Sequence, residues 1–168
     1  MIVFEVDGIP RPKGSTRAFV RHGRAVITAA NKKTAPWART IIDVAQRFAP
    51  PVPFDEPVEV WLHFRLPRLA GHSGKHGLKP SAPTWQSTKP DIDKLVRAAL
   101  DALTVAGFWS DDSRVASLSV QKVYSDAPGV TIFVGAVAAF DLGEDRRAAG
   151  VPTLGASNQA SNQLQTGT

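Results

Sequence analysis

Asp91 and Asp93 stand one residue apart at the start of an apolar-striped segment, and Asp111 and Asp112 follow that segment at a polar turn. Carboxylates gathered at one point repel one another unless a hard dication neutralises them. The chain has no cysteine, which excludes thiolate nucleophiles, disulfides and cysteine-rich zinc sites, so a metal must bind through oxygen or imidazole. Such an oxygen set favours magnesium or manganese over zinc. At a phosphodiester these ions activate water, polarise the phosphoryl oxygen and stabilise the departing alkoxide, acting singly or as a pair.

The same acids have an ordinary reading. Asp91, after Pro90, suits a helix N-cap, and Asp93 falls in the first turn, where the helix dipole favours a carboxylate. Steps of four residues place Asp93, Arg97 and Asp101 on one exposed face. Arg97 there either approaches a bound phosphate or makes an intrahelical ion pair with Asp93 or Asp101. Asp101, a turn beyond Arg97, reads as structural. Asp111 and Asp112 meet the helix start only if the chain runs back alongside the helix.

The elements that must position these residues are legible from periodicity. Apolar positions at Ile92, Leu95, Val96, Ala99, Leu100 and Leu103, ended by Gly107, predict a helix with one buried stripe. Trp37, Ile41, Val44, Ala45 and Phe48 predict an earlier helix, capped by Asn31 or Thr34 and stopped by the prolines from Pro50. Val58, Val60, Leu62 and Phe64 alternate with polar or larger residues, the pattern of a strand buried on one face. Further strands are expected at Ile2 to Val6, Val115 to Tyr124 and Val130 to Val134, the last two joined as an antiparallel pair by the turn at Ser125–Gly129. Ala18–Val20 and Ala25–Thr28 predict a hairpin around Gly23. The fold class is therefore mixed α and β: a small, largely antiparallel sheet packed by two helices. Residues 1–140 form the expected domain, and 141–168, which lose periodicity and become small and polar, the expected disordered tail.

The chain has 168 residues and a formal net charge of +5, with a sequence pI near 9.9, a balance that favours an anionic partner. From Arg11 to Arg47 the only acid is Asp43. Lys13, Arg17, Arg21 and Arg24 are candidate contacts to DNA phosphates, with Lys89 beside the aspartates; the alternative is a solvated basic face. Trp85, Phe108 and Trp109 are either stacking platforms for unpaired bases or packing residues. His63, His72 and His76 show no convincing zinc ligand set. The N-terminus has acids in its apolar run and no basic leader, so a soluble cytoplasmic protein with no membrane partner is expected.

Lys89–Leu95 (KPDIDKL), Leu100–Leu103 (LDAL) and Trp109–Val115 (WSDDSRV), with the basic Pro10–Gly14 (PRPKG), Arg17 and the hairpin, together resemble the RusA-type Holliday-junction resolvases across about residues 1 to 136. The resemblance implies a homodimeric, magnesium-dependent endonuclease, encoded by bacteria or their phages, that resolves four-way branched DNA by symmetric nicks. It places the metal-binding catalytic aspartates at Asp91, Asp93 and Asp112, and the catalytic lysine of the family at Arg97. Arginine keeps the charge and phosphate affinity of that lysine but does not readily lose a proton, so it serves electrostatic stabilisation and not general-base work. Lys94 replaces an asparagine often found after the second aspartate. Other branched DNA, or DNA binding without catalysis, are the alternatives to junction cleavage.

Overall fold

The computed structural model describes residues 1–13, 16–21, 24–29 and 34–137, with side chains only outside 14–34. Its strands are β1 (Ile2–Asp7), β2 (Thr16–Arg21), β3 (Arg24–Ala29), β4 (Val58–Pro67), β5 (Ser73–Gly74), β6 (Gly77–Leu78), β7 (Val115–Ser125) and β8 (Gly129–Ala136). Its helices are α1 (Thr34–Ala45) and α2 (Ile92–Ala106), with short 3-10 turns at Ala70–His72 and Asp112–Arg114. Residues 138–168, and with them the expected tail at 141–168, lie outside the described residues. No helix among the described residues is long and apolar enough to cross a membrane.

Every second residue of β4 is buried from Val58 to Leu66, and the others are half-buried, the alternation its sequence predicts. A strand so apolar on one face is most stable with a neighbour on each side, and β4 has both: β8 pairs with it antiparallel and β7 parallel. The sheet order is β1-β8-β4-β7. This corrects the expected β7–β8 hairpin. The two strands are joined by a short turn but sit on opposite sides of β4, and β8 returns to pair with β1 instead. Parallel pairing of β4 and β7 requires a long crossover, and α2 is that crossover.

Both helices bury their stripes on the same face of the sheet. Trp37, Ile41 and Ala45 of α1 and Leu95, Ala99, Ala102 and Leu103 of α2 share one core with Val58 to Leu66, Phe4, Val6, Val130, Ile132 and Val134. Each fully buried leucine or isoleucine there contributes roughly 1.5–3 kcal/mol. α1 stops at Ala45, before the expected Phe48, but Phe48 still stacks on Phe4 at 5.0 Å. Gly107 ends α2 in the left-handed conformation (φ 92°), and its N–H donates to the carbonyls of Leu103 and Thr104; a glycine adopts this cap without the Cβ clash other residues incur. β2 and β3 pair in register from Thr16↔Ala29 to Arg21↔Arg24, the hairpin expected around Gly23.

On the far face of the sheet Arg65 ties three strands together: its Nη1 donates to Thr131 Oγ1 at 2.6 Å and to Glu5 Oε1 at 3.3 Å. At the start of β8, a Cβ on Gly129 would meet the Val6 carbonyl oxygen at 2.6 Å. That oxygen is backbone and has no rotamer to escape into. Gly129→Ala is therefore expected to destabilise the domain by about 1–3 kcal/mol, read as a lower urea midpoint with an unchanged slope. An unchanged midpoint would show that β1 and β8 separate without cost at this point.

Candidate active site

The loop that delivers Asp91 is laid along the free edge of β7. Tyr124 N–H donates to the Thr84 carbonyl, Gln86 N–H donates to the Lys122 carbonyl, and Trp85 bridges to Val123. Gln86 is buried, and its Nε2 donates to the Lys89 carbonyl at 2.9 Å. Lys122 reaches up from β7, its Nζ donating to the carbonyls of Thr88 and Pro90 at 2.7 Å each. Partial burial pushes the Lys122 ammonium below its ordinary pKa, while the Asp91 charge pulls it back. The Lys89–Pro90 peptide is cis, and the chain enters α2 directly after it.

Asp91 occupies the N-cap position of α2, yet its side chain makes no capping hydrogen bond. It accepts instead from Lys94 Nζ at 2.7 Å. That hydrogen bond, then the Lys94 charge, with smaller contributions from Lys89 and Lys122, holds the carboxyl below the usual carboxylate range. Asp93, exposed in the first turn, makes no hydrogen bond or close ion pair among the described residues. Arg97 is exposed and, among the described residues, enters no ion pair. Asp101, one of the two partners expected for it in an ion pair, is held by Lys13 Nζ, so the intrahelical pairing of Arg97 does not form.

Asp112 lies at the other end of the helix. Its Oδ1 accepts from Thr104 Oγ1 at 2.5 Å and from the indole Nε1 of Trp109 at 3.2 Å, and both bonds leave Oδ2 for another ligand. Asp111 caps the 3-10 turn by accepting from Ser113 N–H at 2.9 Å, and hydrogen bonds from Ser113 hold its carboxyl below the usual range. Thr104 follows Asp93 by eleven residues, about 16 Å along the helix axis. Among the described residues no group of three or more acids or histidines is placed to hold a metal ion. One chain therefore sets Asp91 and Asp93 at the same end of α2 and leaves Asp112 at the other. The chain does run back beside α2, as convergence required, but it does so as β7, after Asp112. The residue returned to the helix start is Lys122.

The remaining candidates divide. Lys13 is tied to α2 twice, through its ion pair with Asp101 and through its N–H, which donates to the Lys94 carbonyl. Arg17, Arg21 and Arg24 lie on β2 and β3, and their side chains fall outside the described residues. Lys89 is exposed beside Asp91. Phe108 and Trp109 are fully buried and pack as core residues, whereas Trp85 is 55 % exposed. His63 faces the outer side of β4 with its Nε2 sealed and unpartnered, and His72 packs edge-on against Tyr124 at 4.6 Å. Sequence reasoning missed Lys122, Thr104 and Gln86. Lys122 alone left a signal: it shares the inward parity of Val120 and Tyr124 in β7, where an apolar residue belongs.

Comparison with known proteins places the sequence in a family. The family model for endodeoxyribonuclease RusA matches residues 10–135. The uncharacterized protein YqaN of Bacillus subtilis (strain 168) is 30% identical over 141 residues, covering 82% of this chain and 98% of YqaN. The crossover junction endodeoxyribonuclease RusA of Escherichia coli (strain K12) is 54% identical over 33 residues, 20% of this chain and 28% of that protein, and RusA of Shigella sonnei (strain Ss046) matches to the same extent. The chain belongs to the RusA endodeoxyribonuclease family, phosphodiester hydrolases that in general depend on a divalent metal and act on branched DNA.

Proposed function

We propose that this chain is a magnesium-dependent endonuclease that resolves four-way DNA junctions by paired symmetric nicks, in DNA recombination and repair, and that it works as a homodimer. One observation carries the reading. Asp91 stands at a helix start with its carboxyl held below the usual range and unused for capping, and Asp93 follows exposed in the first turn of the same helix. Two exposed aspartates at the positive end of a helix are a half-built site for a hard cation.

Asp91 and Asp93 would hold magnesium or manganese, with Asp112 completing the donor set; the bound ion supplies Lewis acidity and a water of lowered pKa. The chain's own residues do the rest. Arg97, one turn from Asp93 and in no ion pair among the described residues, meets the phosphate whose charge rises as the bond breaks. Lys94 and Lys89 keep the Asp91 region electropositive, which draws the DNA backbone towards it. Thr104 and Trp109 fix the rotamer of Asp112, and Lys122 fixes the loop before Asp91.

The separation of Asp112 from Asp91 and Asp93 supports a site completed between two copies. Two α2 helices running antiparallel would set Asp112 of one chain beside Asp91 and Asp93 of the other, twice per dimer. Two sites related by a dyad match two symmetric nicks.

Four-way junction DNA incubated with the protein and magnesium is expected to yield paired nicks that vanish in EDTA and with Asp93→Asn, while linear duplex stays intact. Cutting in EDTA, or by Asp93→Asn at the normal rate, would sink the proposal. Arg97→Ala is expected to lower kcat by about a hundredfold, with Arg97→Lys largely restoring it. Mixing Asp93→Asn with Asp112→Asn protein tests the shared site separately. Heterodimers then hold one intact site, so single nicks should return; a mixture as inactive as its components would place all three aspartates of each site in one chain.

Lys122→Met removes two charge-assisted hydrogen bonds from the Asp91 loop and should lower stability by about 1–3 kcal/mol. Amide exchange at residues 84–90 is expected to accelerate more than exchange in α2. Equal acceleration throughout would show that Lys122 stabilises the fold at large and not this loop.

A further inference from the structure

Between β4 and α2 lie residues 68–91, far more than a connection between neighbouring elements needs. From Arg68 to Pro90 the segment carries Arg68, Lys75, Lys79 and Lys89 and not one aspartate or glutamate. It is also built, not loose. β5 and β6 form a small hairpin with Lys75 and His76 at its tip. The tip is open to solvent: Lys75, His76 and Gly77 are exposed, and a Cβ on Gly77, which has φ +105°, would meet nothing within 4 Å. Lys79 holds the base, its Nζ donating to the Gly71 carbonyl at 2.9 Å and its N–H to the His72 carbonyl at 2.9 Å. Lys75 is exposed and has no ion pair among the described residues.

Ten residues on, the backbone of Trp85 is locked to β7 by its bridge to Val123, yet the side chain is 55 % exposed. Tryptophan is a packing residue when the fold has room to bury it, and Trp109 and Trp37 are buried here. An indole held in water by a rigid backbone loses little conformational freedom when a flat partner covers it, and an aromatic base is such a partner. The absence of acids across the segment selects a polyanion over an acid-seeking protein surface.

We propose that residues 68–89 form a nucleic-acid surface of their own, in which Trp85 stacks on an unpaired nucleotide at the branch point and Lys75 contacts a phosphate of the adjoining arm. The proposal rests on the branched-DNA reading above and adds the feature of the substrate that this segment detects. Trp85 precedes Asp91 by six residues, so even a fully extended chain keeps the two within about 20 Å. A nucleotide held by Trp85 thereby sets how the branch point lies against the acidic residues.

The test uses the full chain in EDTA, with a labelled four-way junction carrying 2-aminopurine at its centre and a linear duplex of equal length. Trp85→Ala is expected to weaken junction binding about tenfold and to abolish the change in 2-aminopurine emission. Trp85→Phe should keep most of both, and linear duplex affinity should not move. Lys75→Ala should reduce the slope of log affinity against log salt by about one. Because Trp85 is exposed, its thermal midpoint should match the wild type. Trp85→Ala that binds the junction normally would overturn the proposal, as would equal losses on junction and duplex. A shift from dimer to monomer in sedimentation would overturn it too, by assigning Trp85 to a protein contact. Wild-type protein that binds no branched DNA would instead fail the underlying reading, and this proposal with it.

Discussion

Two backbone carbonyls, those of Thr88 and Pro90, are drawn to one ammonium group, and much of the site's geometry follows from that. Lys122 comes from the edge strand, so its reach couples sheet to loop, and the loop's last residue is Asp91. Without such an anchor a polar loop at a sheet edge is free to sample many positions, and a carboxylate on it has no fixed address. The same ammonium lies close enough to Asp91 to favour its ionised form. One side chain thus contributes both position and charge to a residue it does not touch through a hydrogen bond. Gln86 and Tyr124 support the arrangement from either side, through Lys89 and Thr88.

At the other end of α2 the logic is repeated with different chemistry. Thr104 and the indole of Trp109 orient Asp112, and Trp109 is itself immobilised because its ring is core. The burial that removes Trp109 from any contact with DNA is what makes it a rigid donor. A helix stiffened by six buried residues keeps the two ends at a fixed separation. In the shared site proposed above, α2 is the ruler between two partial donor sets.

What the sequence disclosed follows from the range of each signal. α2 was readable to its last residue because its stripe, its acidic first turn and its glycine cap all lie within the helix itself. β4 was readable because alternation is local. The pairing of β7 was not: its turn to β8 resembles a hairpin, and only the competition for a place beside β4 decides otherwise. Asp91, Asp93 and Arg97 could be placed relative to one another from helical periodicity, whereas the distance to Asp112 depends on which way the chain leaves Gly107. Lys122 escaped because its partners are carbonyls, which every residue carries and no composition reveals. The sequence leaves the Trp85 indole open between packing and stacking, and its exposure follows from the place of its loop on the edge of β7.

The place of β8 in the sheet has a consequence for how the protein is made. β8 is the last strand of the domain in sequence but the second in space, lying between β1 and β4. As synthesis proceeds from the N-terminus, β1 waits through more than a hundred residues for its neighbour β8. Contacts of such sequence separation form slowly, and an unpaired strand is a template for other chains in the meantime. Closure of the sheet is therefore a late event, and the α2 face is assembled on a partial sheet before its last strand arrives. A cell producing this nuclease thus has a built-in delay between translating the aspartates and possessing a scaffold rigid enough to use them.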